Sequence, residues 1–354
     1  MTSRERTHRA LLRQPVDRIP RYDISFWPET KTRWHREGLP LDVTDLNAHF
    51  DLDRVAFGRF DGSFQLPAEQ LDETADSIVT RDNNGIVTRK WKTRYGPPHV
   101  LDYALKTRDD WNELRERLVP GKARLAAGLA ETVRAHITND TFTCMSPSEP
   151  CWFFVRCMGF DALLLAMASE PEWVQEMFDT YAQFALSMCE LCVEEAGPFD
   201  ALWMFDDLCY RNGMLFSPAM FRQFLTPLHR RIRTFCDTNG MRLILHCDGY
   251  VGEFIPLLIE VGYDAIQPLE ARAGNDVREY KKLFGDQISL FGNINVDIMS
   301  TTTQAIEEEV RGKISVAKQG SGYLYHSDHS IPPSVSYDNY KHVMELVKDV
   351  GRQR

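Results

Sequence analysis

MRLILHCDGYVGEFIPLLIEVGYDAIQPLE, residues 241–270, decides the fold. An apolar run ends in His-Cys-Asp-Gly, a helical stretch follows over about 252–261, and a second apolar run ends in Gln-Pro-Leu-Glu. Strand, helix and strand in this order form a parallel βα unit. The same alternation extends both ways. Upstream lies the apolar run DALWMFDD (200–207). It is followed by a helix that Ser217 caps, Pro218 starts and Gly240 ends. Downstream come a helix over 276–284, the strand ISLFGNI (288–294), a helix over 303–318, the strand GYLYHSDH (322–329) and a helix over 336–350. Five consecutive βα units predict the second half of a (β/α)8 TIM barrel, within one domain spanning 1–354. A doubly wound sheet is the alternative. It lacks a glycine fingerprint, because Gly320-Ser321-Gly322 precedes a strand and has no third glycine.

The N-terminal half carries the expected insertions. A helix ends before Pro20, a short strand covers about Ile19–Asp23, and DISFWPETKTRWHREGLP (23–40) gives an aromatic loop and a short helix. SIVTRDNNGIVTRKWKTRY (77–95) alternates on both sides of Asn84-Gly85 and predicts a β-hairpin. Residues 161–196 repeat apolar positions at helical spacing.

Composition narrows the partners. The 354 residues are 43% hydrophobic and 26% charged, which suits a globular core. A formal charge of −10 with no basic stripe argues against a nucleic-acid partner. No apolar run approaches the roughly 18 residues of a membrane helix. The charged start, MTSRERTHRALLRQPVDRIP, is unlike a secretory signal, so the cytoplasm is the expected compartment. Cys189 and Cys192 lie three apart on a helix, as core neighbours rather than a redox pair.

Polar residues collect where strands end, in WMFDDL, LILHCDG, AIQPLE and LYHSDHS. In a barrel these ends carry the chemistry. Asp207 or Ser330 alone would serve as a helix cap, but His246, Glu270 and His329 are poor caps. Strand alternation puts His246 and Asp248 on one face and Cys247 on the other, against the helices. His246, Asp248, Glu270 and His329 together suit tetrahedral Zn²⁺, with three as ligands and a fourth position open to substrate. The alternative is a metal-free cluster in which His246 pairs with Asp248 or Glu270 for proton transfer.

At these residues the chain resembles the uroporphyrinogen decarboxylase superfamily and, within it, the cobamide-dependent methyltransferases. RERTHRALLRQPVDRIP (4–20) is similar to the family's opening segment. Residues 206–232, DDLCYRNGMLFSPAMFRQFLTPLHRRI, with 243–276, ISLFGNINVDIMST (288–301) and GSGYLYHSDHSIPPSV (320–335), resemble its central and C-terminal blocks. The methyltransferase branch uses a His-x-Cys-Gly turn and a later cysteine as zinc ligands. Here His246 matches the first ligand, Asp248 stands at the first cysteine because Gly249 sets the register, and His329 stands at the second. Glu270 matches a glutamate of the related cobalamin-independent methionine synthase barrel. The arginine-rich motif that holds tetrapyrrole carboxylates in the decarboxylases is reduced to isolated Arg33 and Arg36. Phe26, Trp27 and Trp34 stand nearby, as an aromatic pocket wall or as core.

The resemblance implies methyl transfer from a small O- or N-methylated donor to the cobalt(I) of a separate corrinoid protein, with zinc as Lewis acid. Asp206 and Asp207 would orient substrate or support the ligands, with Asp207 equally suited to a helix cap. Tyr210, Asn212, His326 and Asp328 would form the rim. A decarboxylase-like lyase that uses the cluster for acid/base chemistry and a non-catalytic ligand-binding barrel are the other readings. The sequence leaves the oligomeric state open.

Overall fold

The computed structural model describes residues 1–23, 25–93 and 98–352. Its centre is a curled sheet of seven parallel strands in sequential order. These are β1 (Val55–Gly58), β2 (Phe142–Met145), β3 (Ala201–Phe205), β4 (Arg242–His246), β5 (Ala265–Gln267), β6 (Ser289–Phe291) and β7 (Tyr323–Leu324). The last five are those read from the sequence, each followed by a helix, and the fold is of the mixed α/β kind. Of the predicted eight-stranded ring, seven strands form the sheet, and residues 20–22 add only single main-chain bonds. Tyr22 N donates to Tyr325 O (3.0 Å), Tyr325 N to Pro20 O (2.9 Å) and Asp53 N to Arg21 O (2.7 Å). The strand expected around Ile19–Asp23 is therefore a set of bridges touching both outer strands, too short for a ladder.

Period-2 alternation divides the core. Ala201, Trp203, Ile244, Ala265, Phe291 and Leu324 form a smaller cluster on one face of the sheet. Leu202, Met204, Leu243, Leu245, Ile266 and Leu290 face the other way, into the larger cluster shared with the helices. His246 continues the Ile244 face and Cys247 joins the helix-side cluster. The geometry expected of the His-Cys-Asp triplet is the geometry found.

The helix Ser3–Leu11 packs at the strands' N-terminal ends, with Ala10 and Leu11 in the smaller cluster. Asp200, just before β3, fastens it there. Its carboxylate takes Arg4 Nε (2.8 Å), His8 Nε2 (2.6 Å) and Thr143 N (2.8 Å). Burial opposes ionisation of Asp200, but these hydrogen bonds outweigh it and hold the carboxyl below its ordinary range. A depressed folded-state value adds stability above the unfolded pKa of about 4, and that stability is lost as pH falls through the folded value. Asp200→Asn is accordingly expected to cost about 1–3 kcal/mol at pH 7. Urea titrations should show the gap between the two proteins closing below about pH 4. A gap independent of pH would contradict this account.

Three sequence readings gain detail. The 161–196 stretch is two helices, Phe160–Ser169 and Pro171–Ala196, broken because a residue before proline disfavours helical torsions. The helix opened by Ser217, whose Oγ accepts from Met220 N at 3.2 Å, widens into a π turn over Phe221–Leu225 before Thr226–Thr238. Pro227 explains the break, since it has no N–H to continue the helical ladder. The hairpin is found as Ser77–Arg81 and Val87–Trp91, inside a four-stranded antiparallel sheet. Residues 94–95 of the predicted hairpin lie outside the described residues. Gly85 takes the positive φ of +77° that its turn needs.

All eight cysteines are free and buried, Cys189 and Cys192 among them. Trp34 is fully buried against Phe50, Tyr337 and Tyr340, so it is core and not pocket wall. Among the described residues no single helix is long and apolar enough to cross a membrane.

Candidate functional site

The register of β3, β4 and β5 sets Phe205, His246 and Gln267 side by side at the strands' C-terminal ends. They line a cavity of about 250 Å³ together with Asp248, Pro268, His326 and His329. The His246 ring stacks on Phe205, with centroids 5.0 Å apart. Its Nδ1 lies 2.6 Å from Gln267 Oε1. An amide oxygen only accepts, so Nδ1 carries a proton and Nε2 is the nitrogen turned to the cavity. It faces Asp207 Oδ1 and Asp248 Oδ1, each 3.8 Å away. One ligand atom from each of Asp207, His246 and Asp248 lies within 4.8 Å of the others.

Two carboxylates turned to one ring nitrogen repel each other unless something positive, a proton or a metal ion, sits among them. Asp248 Oδ1 is buried and has no hydrogen-bond partner. Burial first, and then Asp207 and Glu270, push the Asp248 carboxyl above its ordinary range, against the pull of His246 and His329. Asp207 Oδ1 accepts Asp248 N at 2.9 Å, which fixes the turn and aims this carboxylate at the imidazole. One nitrogen and two oxygens with an open side form a donor set that suits Zn²⁺. The buried orphan oxygen is where a ligand atom would be expected.

The predicted ligand set changes in composition. His246 and Asp248 stand in it. Glu270 lies outside the close donor group; its Oε2 accepts Gly249 N at 2.9 Å and so braces the turn that carries Asp248. His329 lines the cavity, but it lies outside the close group. Asp207, predicted as an orienting residue or a helix cap, takes the vacated place.

Asp206 also departs from its expected role of orienting substrate. Its carboxyl is wholly buried, away from the His246 cavity, and neither oxygen has a hydrogen-bond partner. Burial, then the nearby carboxylates of Glu149 and Asp207, push its pKa well up and favour the neutral acid. The reason is alternation, which turns residue 206 to the face opposite its neighbour.

Tyr210 and Asn212 are exposed on a small hairpin (Cys209–Tyr210 with Gly213–Met214) and do not line the cavity. His326 does line it and is nearly buried, which lowers its pKa. Asp328 holds the loops instead, accepting Ala271 N and Val296 N at 2.9 Å each. Arg33 is engaged with Glu37 and the Pro333 carbonyl. Gln267 was missed by the sequence reading, although a polar residue ending the run AIQ was the available signal.

The sequence profile of the uroporphyrinogen decarboxylase (URO-D) family matches residues 87–350. The chain belongs to the URO-D family. Curated relatives are distant. The uroporphyrinogen decarboxylase of Streptomyces avermitilis is 24% identical over 270 residues, covering 72% of this chain and 70% of that protein. The enzyme of the same name from Hydrogenovibrio crunogenus is 20% identical over 365 residues, covering 98% and 97%. Among solved structures, a methyltransferase from Methanosarcina mazei shares the fold, with a TM-score of 0.63 at 15% identity over 99% of both chains. This URO-D family member therefore keeps the family's fold around its own constellation of Asp207, His246 and Asp248.

Proposed function

We propose that this URO-D family chain transfers a methyl group from a small O- or N-methylated donor to a corrinoid carried by a partner protein. Asp207, His246 and Asp248 would hold a zinc ion. The supporting observation is the convergence of two carboxylates on the imidazole nitrogen that the Gln267 hydrogen bond turns to the cavity. Zinc bound there would act as a Lewis acid on the donor's oxygen or nitrogen, making it a better leaving group. Gln267 fixes the tautomer and tilt of His246. Glu270 and Asp207 hold the Gly249 and Asp248 main chain in place. Phe205 and Pro268 give the cavity apolar walls that exclude water. Among the described residues no thiol lines the cavity, since Cys247 is buried on the other face and burial raises its thiol pKa well up. The methyl acceptor in this reading is the partner's corrinoid. We also take residues 20–23 as the eighth stave of a closed (β/α)8 barrel.

A decarboxylase-like lyase is the second reading, favoured by the names of the curated relatives. The cavity weighs against a polycarboxylate tetrapyrrole: about 250 Å³ is small, and among the described residues no lysine or arginine lines it.

The test is elemental analysis of zinc-replete, dialysed protein, followed by single-turnover assays with cob(I)alamin and a panel of methoxy compounds and methylamines. About one zinc per chain and methylcobalamin formation with at least one donor are expected. Protein without bound zinc, or silence with every donor and corrinoid acceptor, would reject the reading.

A further inference from the structure

A second cavity, of about 220 Å³, opens at the C-terminal ends of β1 and β2. Its walls are Phe60–Ser63 after β1, Ser146–Ser148 after β2, and Phe153, Arg156 and Tyr181 from two helices. Arg156 is exposed at its rim and makes no ion pair or hydrogen bond among the described residues. The other charge in the wall, Asp61, is already engaged. Its carboxylate accepts Ser63 N (2.9 Å), Ser63 Oγ (2.5 Å) and Gln65 Nε2 (3.0 Å). Arg124 donates to the Asp61 and Ser63 carbonyls at 3.0 and 2.8 Å, and its charge offsets that of Asp61. Arg156 thus stands without an ion-pair partner among the described residues, beside the hydroxyls of Ser146, Ser148 and Tyr181. Gly62 keeps the last of these open, since a Cβ there would sit 3.1 Å from Tyr181 Oη.

Asp206 lies within electrostatic reach of Arg156, while its neighbour Asp207 faces His246. We propose that the second cavity binds the carboxylate end of the methyl donor, with Arg156 as its anchoring cation. The inference rests on the methyl-donor reading of the His246 cavity and adds the donor's charge. One free guanidinium with three hydroxyls matches a singly charged, planar carboxylate, which arginine binds through two parallel hydrogen bonds. A dianionic phosphate would call for more positive charge than this wall offers.

Isothermal titration with methoxyacetate and longer ω-methoxy carboxylates, each beside its neutral primary amide, tests the assignment. Wild type is expected to prefer acid over amide by about tenfold or more, and Arg156→Gln to lose that preference. Arg156→Lys should retain part of it, and His246→Ala all of it. The last variant separates the two claims. An acid preference that depends on Arg156 without methyl transfer would support the cavity assignment and remove the transfer reading. Equal binding of acid and amide, a preference surviving in Arg156→Gln, or no binding of any probe would overturn the assignment. Competition by acetate but not by inorganic phosphate is expected; stronger competition by phosphate would overturn the choice of carboxylate.

Discussion

His246→Ala is expected to lower methyl transfer by about 10²–10³-fold and to leave the protein without tightly bound zinc. The imidazole is the sole nitrogen in the close donor group, and it stands between two carboxylates. Removing it leaves Asp207 and Asp248 facing each other with only water between. Gln267→Ala should act differently. The ring would remain, but its Nδ1 partner at 2.6 Å would be gone, so tautomer and tilt would be free to vary. A loss of about 10–100-fold is expected, with zinc still bound at saturating metal. Metal content by elemental analysis and single-turnover rates distinguish the pair. If His246→Ala keeps both zinc and rate, His246 holds no catalytic metal. Glu270→Ala gives a further contrast, since it removes the brace on Gly249 N rather than a ligand.

The largest effect on stability is expected at Asp53. Its buried carboxylate takes Arg6 Nη1 (2.9 Å), Arg18 Nη1 (2.6 Å) and Nη2 (3.1 Å), and Arg21 N (2.8 Å). Its own N–H donates to Arg21 O, so this residue joins the 20–23 segment to the edge of the sheet. Asp53→Ala would leave Arg6, which is nearly buried, with only Asp17 as a carboxylate partner. Breaking a buried ion pair of this kind costs about 3–5 kcal/mol. Urea titration should read a loss of that size at pH 7. Asp53→Asn should recover little, because the amide keeps the shape but not the charge. A cost below about 1 kcal/mol would mean that the segment is held by its main-chain bonds alone.

Much of the fold was legible because it rests on local patterns. Each parallel strand after residue 200 is a short apolar run, and each helix has a start or stop signal such as Ser217-Pro218 or Gly240. Alternation along LILHCD also placed Cys247 in the wall, because neighbouring strand residues must point apart. The site was less legible, because its members meet through the curl of the sheet. Glu270 and Asp207 both end a strand, and composition does not rank them. Register with β4 does, bringing Asp207 to the imidazole and leaving Glu270 outside the close group, on the Gly249 amide.

By itself, then, the sequence determined the order of strands and helices, the face on which His246 and Asp248 stand, and the rim where chemistry gathers. These follow from torsional preference and the period of the backbone, which act over a few residues. Only the tertiary structure decided that Asp207 completes the group, that Asp206 is sealed beside Glu149, and that Arg156 has no ion-pair partner among the described residues. Those outcomes depend on distances between chain segments tens to hundreds of residues apart, and on which hydrogen bonds each carboxylate has already made.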